Sequence, residues 1–472
     1  MIIMKESPVQ FVEYSQAVQP RSVKGRFRNL KSYVLVFAYA VFFLLPWMRW
    51  ERTVGPDQAV IFDLANLRFY IFDFVVHPQD IYWLSIVLFF AAVFLFFITT
   101  LAGRVFCGYF CFQTLWTDAY RWIEYLIQGD RVKRIRLDKQ PWTRDKIIKK
   151  GLTHFFWILL SFFTGLSFVL YWGDAFELFS EFFTGSAPTA AYVTTLILTI
   201  TTYLAAGFAR DAICRHVCPY SRFQSAMFDE NTLIVSYDYI RGEAKKGRAK
   251  PIKDLKKQAL RHEKGIGDCV DCGLCVQVCP MGIDIRDGLQ IDCIHCALCI
   301  DACNNIMDKF GWDRGLIKYT SENNLHGKKN KYINVRSVGY GLASLLSIGL
   351  LYISITGSAL LNVSVSQTRQ PLFVTLSDGK IQNSYNFSFI NKTRKPAKLA
   401  LSLEGLEGAT ISLGHIENII VKADGALRLF VKVIRHPNEK NVQQNIPFHF
   451  KVTPIEGDLK ESVLISSQFI TR

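Results

Sequence analysis

The chain has 472 residues, of which 50% are apolar, 14% aromatic and 20% charged, and its formal net charge is +15. That length implies more than one domain, and the apolar share is rich for a purely soluble protein. The excess of positive charge suits contact with anionic lipid headgroups and makes nucleic-acid binding only a weak alternative.

Taken in order, residues 1–31 read as a basic, surface-lying or disordered cytoplasmic arm. Residues 32–48, 81–102, 152–172, 190–209 and 337–358 are apolar runs, each about long enough to cross a bilayer core of roughly 30 Å. The first is the shortest and contains Pro46, yet it lacks strand alternation. Single runs of this kind suit buried helices of a soluble protein, but five in one chain are hard to bury. No cleavable leader is expected, because about thirty mostly polar residues precede the first run.

Orientation follows from the basic residues of the connections, since Lys and Arg stay on the cytoplasmic side. Arg21, Lys24, Arg26, Arg28 and Lys31 precede the first run, and Arg131, Lys133, Arg134, Arg136 and Lys139 follow the second. The loop 173–189 carries Asp174, Glu177 and Glu181 without Lys or Arg, and Arg210 to Arg336 is again basic. Five spans then give a multi-pass protein of the bacterial inner membrane, with the N-terminus inside and the C-terminal part outside. The expected domains are the arm 1–31, a four-span membrane domain 32–210, a cytoplasmic segment 211–261, a ferredoxin-type domain 262–325, a fifth span 326–359 and a periplasmic domain 360–472.

Between the spans, the aromatic loop 50–80 reads as an interfacial or ordinary connection, and 112–150 as a loop ending in a basic helix on the membrane surface. His154 and Trp157 open the third span, as quinone contacts or as ordinary interfacial residues. Residues 230–264 read as a polar linker. From about 362, short alternating segments such as Ser384–Ile390, Lys398–Leu403 and Leu427–Val433 predict an antiparallel sandwich of immunoglobulin-like size. It has no cysteine and no catalytic cluster, so it reads as a binding or assembly module, or as a solubilising cap.

All twelve cysteines fall in segments assigned to the reducing cytoplasm, which argues against disulfides. Eight form two runs, Cys269-x2-Cys272-x2-Cys275-x3-Cys279-Pro280 and Cys293-x2-Cys296-x2-Cys299-x3-Cys303. In such runs three thiolates of one loop converge on one cluster and the fourth serves its neighbour. This assigns Cys269, Cys272, Cys275 and Cys303 to one 4Fe-4S cluster, and Cys279, Cys293, Cys296 and Cys299 to the other; paired zinc sites are the competing reading. His295, inside the second run, borders or tunes a cluster whose thiolate count is already complete.

The other four cysteines close the second and fourth spans as an internal repeat, Cys107-x3-Cys111 and Cys214-x3-Cys218-Pro219. If those segments are helical, each pair shares a face. Together they offer four soft thiolates suited to Cu(I), zinc or a third iron–sulfur cluster, with His216 as a further ligand or a headgroup contact. The alternative is four cysteines packed as small apolar residues.

These motifs, with Tyr237-Asp238, Arg241-Gly242-Glu243, Gly282–Gln290 and Met307-Asp308-Lys309, resemble the CcoG/FixG/RdxA family of cbb3-type cytochrome c oxidase accessory proteins over nearly the whole chain. The first pair departs from the pattern, with Phe112 where the second has Pro219, which bears on the turn geometry there. The resemblance implies a membrane cuprireductase with two 4Fe-4S clusters that reduces Cu(II) to Cu(I) at Cys107, Cys111, Cys214 and Cys218. Its expected partners are a cytosolic electron donor, or quinol on the alternative reading below, and the oxidase or its copper chaperones, with a homodimer as a candidate assembly that the sequence does not decide. A quinol- or ferredoxin-coupled electron-transfer subunit and a non-enzymatic assembly scaffold are the other readings.

Overall fold

The computed structural model describes residues 18–52, 54–331, 333–414, 418–436, 445–457 and 461–471. Of the arm expected over 1–31, residues 1–17 lie outside the described residues. The chain forms two compact units, one of Met1–Trp50 with Gln58–Tyr352, the other of Glu51–Asp57 with Ile353–Arg472.

Among the described residues, five helices are long and apolar enough to cross a membrane: Arg26–Trp47, Pro78–Ala102, Arg144–Val169, Thr189–Val217 and Val335–Thr356. They coincide with the five runs. The third starts earlier than its apolar stretch because the Thr143 side chain accepts from the Lys146 N–H, capping a polar first turn. Leu345, Leu346, Tyr352 and Ile353 of the last helix are all exposed, as expected of a helix whose solvent is lipid.

The connections hold more structure than expected. Within 50–80, Val60–Asp63, Arg68–Ile71 and Phe74–Val76 form a three-stranded antiparallel meander. Strands of three or four residues are too short for alternation to register. Residues 112–150 are a loop only at their joints. Phe112–Gln128 is a helix that buries Leu115, Trp116 and Tyr120, and with them Asp118 and Glu124. Each buried carboxylate is paired: Asp118 lies 2.9 Å from Arg28 and 3.6 Å from Lys31, and Glu124 lies 2.9 Å from Arg134 and 2.6 Å from Arg210. The basic stretch forms the expected helix, Arg131–Lys139, but tucks Arg134 and Leu137 inward.

The expected linker 230–264 contributes Ile234–Tyr237, which pairs antiparallel with Ile317–Thr320. Those strands bracket the cysteine runs, so the ferredoxin-type fold begins well before residue 262.

In the second unit two sheets make the sandwich. Ala409–Ser412, Gly425–Arg435, Ile381–Asn391 and Leu361–Gln367 lie side by side in one, with Val374–Thr375 also on Ile381–Asn391. Ile419–Val421, Ala397–Glu404, Asn445–Glu456 and Val463–Ile470 form the other. Alternate residues Tyr385, Phe387 and Phe389 meet Val431, Phe448, Phe450 and Phe469 in a core fully removed from solvent. At about 2 kcal/mol or more per large apolar side chain, this core accounts for the domain's cohesion.

Candidate iron–sulfur and membrane-thiol sites

The two cysteine runs fold alike. Asp271 and Gly273 of the first have φ of 50° and 63°, and their counterparts His295 and Ala297 in the second have 50° and 61°. Left-handed residues beside right-handed ones turn successive N–H groups to one side, the backbone arrangement that favours an anionic cluster. Each loop then enters a helix, Leu274–Gln277 or Leu298–Phe310.

Around these loops lie two cavities. One, of about 380 Å³ counting its mouth, is lined by Cys269, Cys272, Cys275 and Cys303; the other, of about 360 Å³, by Cys279, Cys293, Cys296 and Cys299, with Cys275 shared. The fourth cysteine of each run thus faces the other run's loop. Four cysteines ranged around each cavity, beside nest-like backbone, fit the ligand set of one 4Fe-4S cluster. None of the twelve cysteines is in a disulfide. Burial pushes Cys275, Cys293 and Cys303 up to about 12 and Cys279 up to about 11, so loading a cluster on these thiols releases protons.

The motif around Tyr237 supports the first cavity. The Gly242 carbonyl accepts from the Cys269 N–H at 3.1 Å, and the Arg241 guanidinium holds Asp268 at 2.6 Å. A Cβ on Gly242 would collide with the Tyr237 ring.

The membrane-edge pairs correct the helical expectation. Cys107 lies in a short helix, Val105–Tyr109, but Cys111 is extended (φ −63°, ψ 130°) and caps the next helix. Cys214 lies in a π turn, Ile213–Val217, and Cys218 is again extended (φ −77°, ψ 108°) ahead of Pro219–Ala226. In both copies the second cysteine's N–H reaches back five residues, Cys111 to Phe106 at 3.0 Å and Cys218 to Ile213 at 2.8 Å. The repeat is therefore structural, and Phe112 in place of proline leaves the turn unchanged. The helix breaks between the two thiols of each pair, so i, i+4 stacking does not apply.

Cys214 lies within electrostatic reach of Cys107, Cys111 and Cys218. Cys107 is buried, its Sγ donates to Gln224 Oε1 at 3.0 Å, and burial pushes its thiol up to about 11 against the opposing pull of Arg104. His216 is exposed and joins no metal-binding group among the described residues. His154 and Trp157 face a separate cavity.

Cys107 of the first membrane pair packs against the second cysteine cavity. Cys107 packs in one apolar cluster with Cys293, Cys296, Met281 and Ile294, and Cys214 and Cys279 lie at its edge. The Tyr109 hydroxyl donates to the Cys296 carbonyl at 3.1 Å. A Cβ on Gly108 would stand 2.7 Å from the Ile294 carbonyl oxygen. His295 completes this seam: fully buried, its Nδ1 accepts from the Arg104 N–H at 3.0 Å, while its ring stacks on Phe228 at 5.5 Å. Burial, then the charge of Arg104, depress the imidazole to about 3, so it is neutral. Arg104 also donates to the Ile291 carbonyl. Sequence reasoning named His295 but not Arg104, Gly108, Tyr109 or Gln224. Only Arg104 has a sequence signal, since it precedes the first cysteine pair as Arg210 precedes the second; both are buried.

Comparison with known families agrees with this layout. Residues 209–322 match the family model described as "4Fe-4S dicluster domain", 83–134 that described as "4Fe-4S binding domain", and 351–472 the "IG-like fold at C-terminal of FixG". With five membrane-length helices, these matches define a membrane iron–sulfur redox protein bearing an immunoglobulin-like domain. The chain is 38% identical to "Nitrogen fixation protein FixG" of Rhizobium meliloti, over 84% of this chain and 81% of that one. It is 38% identical to "Protein RdxA" of Cereibacter sphaeroides (87% and 88% covered) and 40% identical to "Protein RdxB" of the same organism (84% and 86%). The chain belongs to the FixG/RdxA family.

Proposed function

We propose that this protein is a membrane cuprireductase, reducing Cu(II) to Cu(I) for assembly of a cbb3-type cytochrome c oxidase. Cys269, Cys272, Cys275 and Cys303 would hold one 4Fe-4S cluster, and Cys279, Cys293, Cys296 and Cys299 the other. When bound, such clusters supply one-electron chemistry at low potential. Copper is the substrate, met by Cys107, Cys111, Cys214 and Cys218. One electron converts Cu(II) to Cu(I), and thiolates favour the softer, reduced ion. The clusters face the cytoplasm, where a soluble donor meets them, and the immunoglobulin-like domain lies outside as a module for the oxidase or a copper chaperone.

The observation that carries this reading is the partition of the twelve cysteines. Eight line two cavities, and the remaining four close two repeated spans, with Cys107 and Cys214 in the apolar cluster that also contains cysteines of the second cavity. That contiguity supports an exit of electrons from the second cavity. Changing Cys107, Cys111, Cys214 and Cys218 together to serine tests it: copper reduction should disappear while both cluster EPR signals remain.

One observation favours a second reading of the four membrane-edge thiols. The match described as a 4Fe-4S binding domain over 83–134 contains Cys107 and Cys111 as its only cysteines. Completed by Cys214 and Cys218, they would form a four-thiolate set for a third cluster. Iron analysis separates the two, because the same serine variant then loses about a third of its iron instead of none.

A further inference from the structure

Where the third and fourth span helices meet the Phe112–Gln128 helix, the structure encloses a cavity of about 710 Å³ counting its mouth. One side is aromatic. Trp157 and Phe208 lie with ring centroids 6.3 Å apart at 80°, and His154 stacks on Phe208 at 6.0 Å. The other side is polar, formed chiefly by Glu124, Gln128, Arg134 and Arg210.

Each of the three cations lining this cavity, Arg134, Arg210 and Lys150, already has a carboxylate partner, although only two carboxylates serve them. Glu124 divides its two oxygens between Arg134 at 2.9 Å and Arg210 at 2.6 Å, and Asp138 pairs with Lys150 at 2.6 Å. An anion placed here would compete with carboxylates already seated on those cations. The cavity suits a neutral, planar ligand with hydrogen-bonding atoms on its rim. Two side chains are set to meet it: His154 engages the Tyr203 hydroxyl through Nδ1 at 3.1 Å, which leaves Nε2 as its other hydrogen-bonding atom. Arg134, only 4% exposed, keeps its Nε buried and without a partner.

The backbone is also adapted to this place. The fourth span opens into a π turn over Ala205–Ala209, a form that recurs at functional sites. Within it, a Cβ on Gly207 would sit 3.3 Å from the Trp157 ring, so glycine lets Trp157 stand against the helix. A smaller adjoining cavity shares Arg210 and is lined by Cys214, Pro280 and Met281. One side chain thus borders both the large cavity and the region of the membrane thiols.

We propose that this cavity is a binding site for the headgroup of a membrane quinone, its ring against Trp157 and Phe208 and its oxygens toward His154 and Arg134. The site requires neither copper nor the cuprireductase reading, and its test reads binding alone.

The whole protein in lipid nanodiscs, with clusters checked by EPR, is titrated calorimetrically with a short-chain benzoquinone. One saturable site is expected, weakened roughly tenfold or more in His154→Leu, as loss of one good hydrogen bond implies, and partly restored in His154→Gln. Gly207→Leu, which drives a side chain toward Trp157, should abolish binding. A photoreactive benzoquinone should label the Arg144–Val169 and Thr189–Val217 helices. Absence of saturable binding, unchanged affinity in both His154→Leu and Gly207→Leu, or displacement of nothing but short-chain anionic phospholipid from the cavity would overturn the proposal.

Discussion

Gly108 offers a sharp test of the seam between the membrane thiols and the second cysteine cavity. A Cβ built there stands 2.7 Å from the Ile294 carbonyl oxygen and 3.1 Å from both the nitrogen and the Cα of Cys296. Ordinary contact begins near 3.4 Å, so Gly108→Ala falls about 0.7 Å short against backbone, which cannot swing aside as a side chain can. Overpacking of this kind costs about 1–3 kcal/mol. Because Gly108 lies in a helix, alanine also recovers up to about 1 kcal/mol of propensity. The clash therefore outweighs the propensity gain by up to about 2 kcal/mol, and its strain falls on the Cys293–Cys296 loop. Thermal unfolding in detergent and the EPR signals of the reduced protein measure the two effects. Gly108→Ala should lower the midpoint and disturb the signal of the second cluster while sparing the first. Gly151→Ala, in a helix with nothing within 4 Å of its Cβ position, should stabilise by about 0.5–1 kcal/mol. Equal behaviour of the two variants would refute the seam.

Other outcomes follow from the same geometry. Cys272→Ser and Cys296→Ser line different cavities, so each should remove or alter one of two EPR signals, and a loss of both in either variant would count against separate ligand sets. Glu124→Gln leaves Arg134 and Arg210 buried without their shared carboxylate, and should destabilise by about 3–5 kcal/mol in chemical denaturation. Burial alone would raise the Asp118 carboxyl, but Lys31 and Arg28 outweigh it and hold it below the ordinary value. Its contribution is therefore complete above about pH 4 and lost as pH falls through the depressed value, so Asp118→Asn should flatten the acid limb of a stability–pH profile. In the sandwich, the fully buried Asn391 side chain donates to the Lys395 carbonyl at 2.8 Å and the Lys422 carbonyl at 3.1 Å, and accepts from the Thr393 N–H at 3.0 Å. Asn391→Leu strands those groups at about 1–3 kcal/mol each, and hydrogen exchange should show protection lost throughout the second unit.

The parts legible in the sequence are those with a strong local period or a fixed spacing. Five apolar runs became five helices because twenty apolar residues have few other uses, and the longer sandwich strands showed through alternation at Tyr385, Phe387 and Phe389. Val374–Thr375 and Ile419–Val421 are too short to carry a period. Ile234–Tyr237 was hidden for another reason: its partner, Ile317–Thr320, lies some eighty residues away, and pairing at that distance leaves no local mark. The Phe112–Gln128 helix misled by its polarity, since Asp118 and Glu124 look like surface residues until their arginines arrive from other helices. The cysteine spacing paired Cys303 with the first run and Cys279 with the second, and those thiols line the corresponding cavities, with Cys275 on both; which thiols ligate which cluster is a proposal. The spacing did not foretell that Cys107 and Cys111 would be divided by a helix break, nor that Gly108 and Tyr109 would weld that break to the Cys296 loop, a contact made across 187 residues.

The most direct test of the central claim is copper reduction by the anaerobically purified, pre-reduced protein, with Cu(I) trapped by a specific chelator. It is run beside the variant in which Cys107, Cys111, Cys214 and Cys218 are all serine, with EPR confirming the clusters in both. The account predicts Cu(I) from the parent and none from the variant. Equal Cu(I) from both would contradict it, because the four membrane-edge thiols would then have no part in meeting copper.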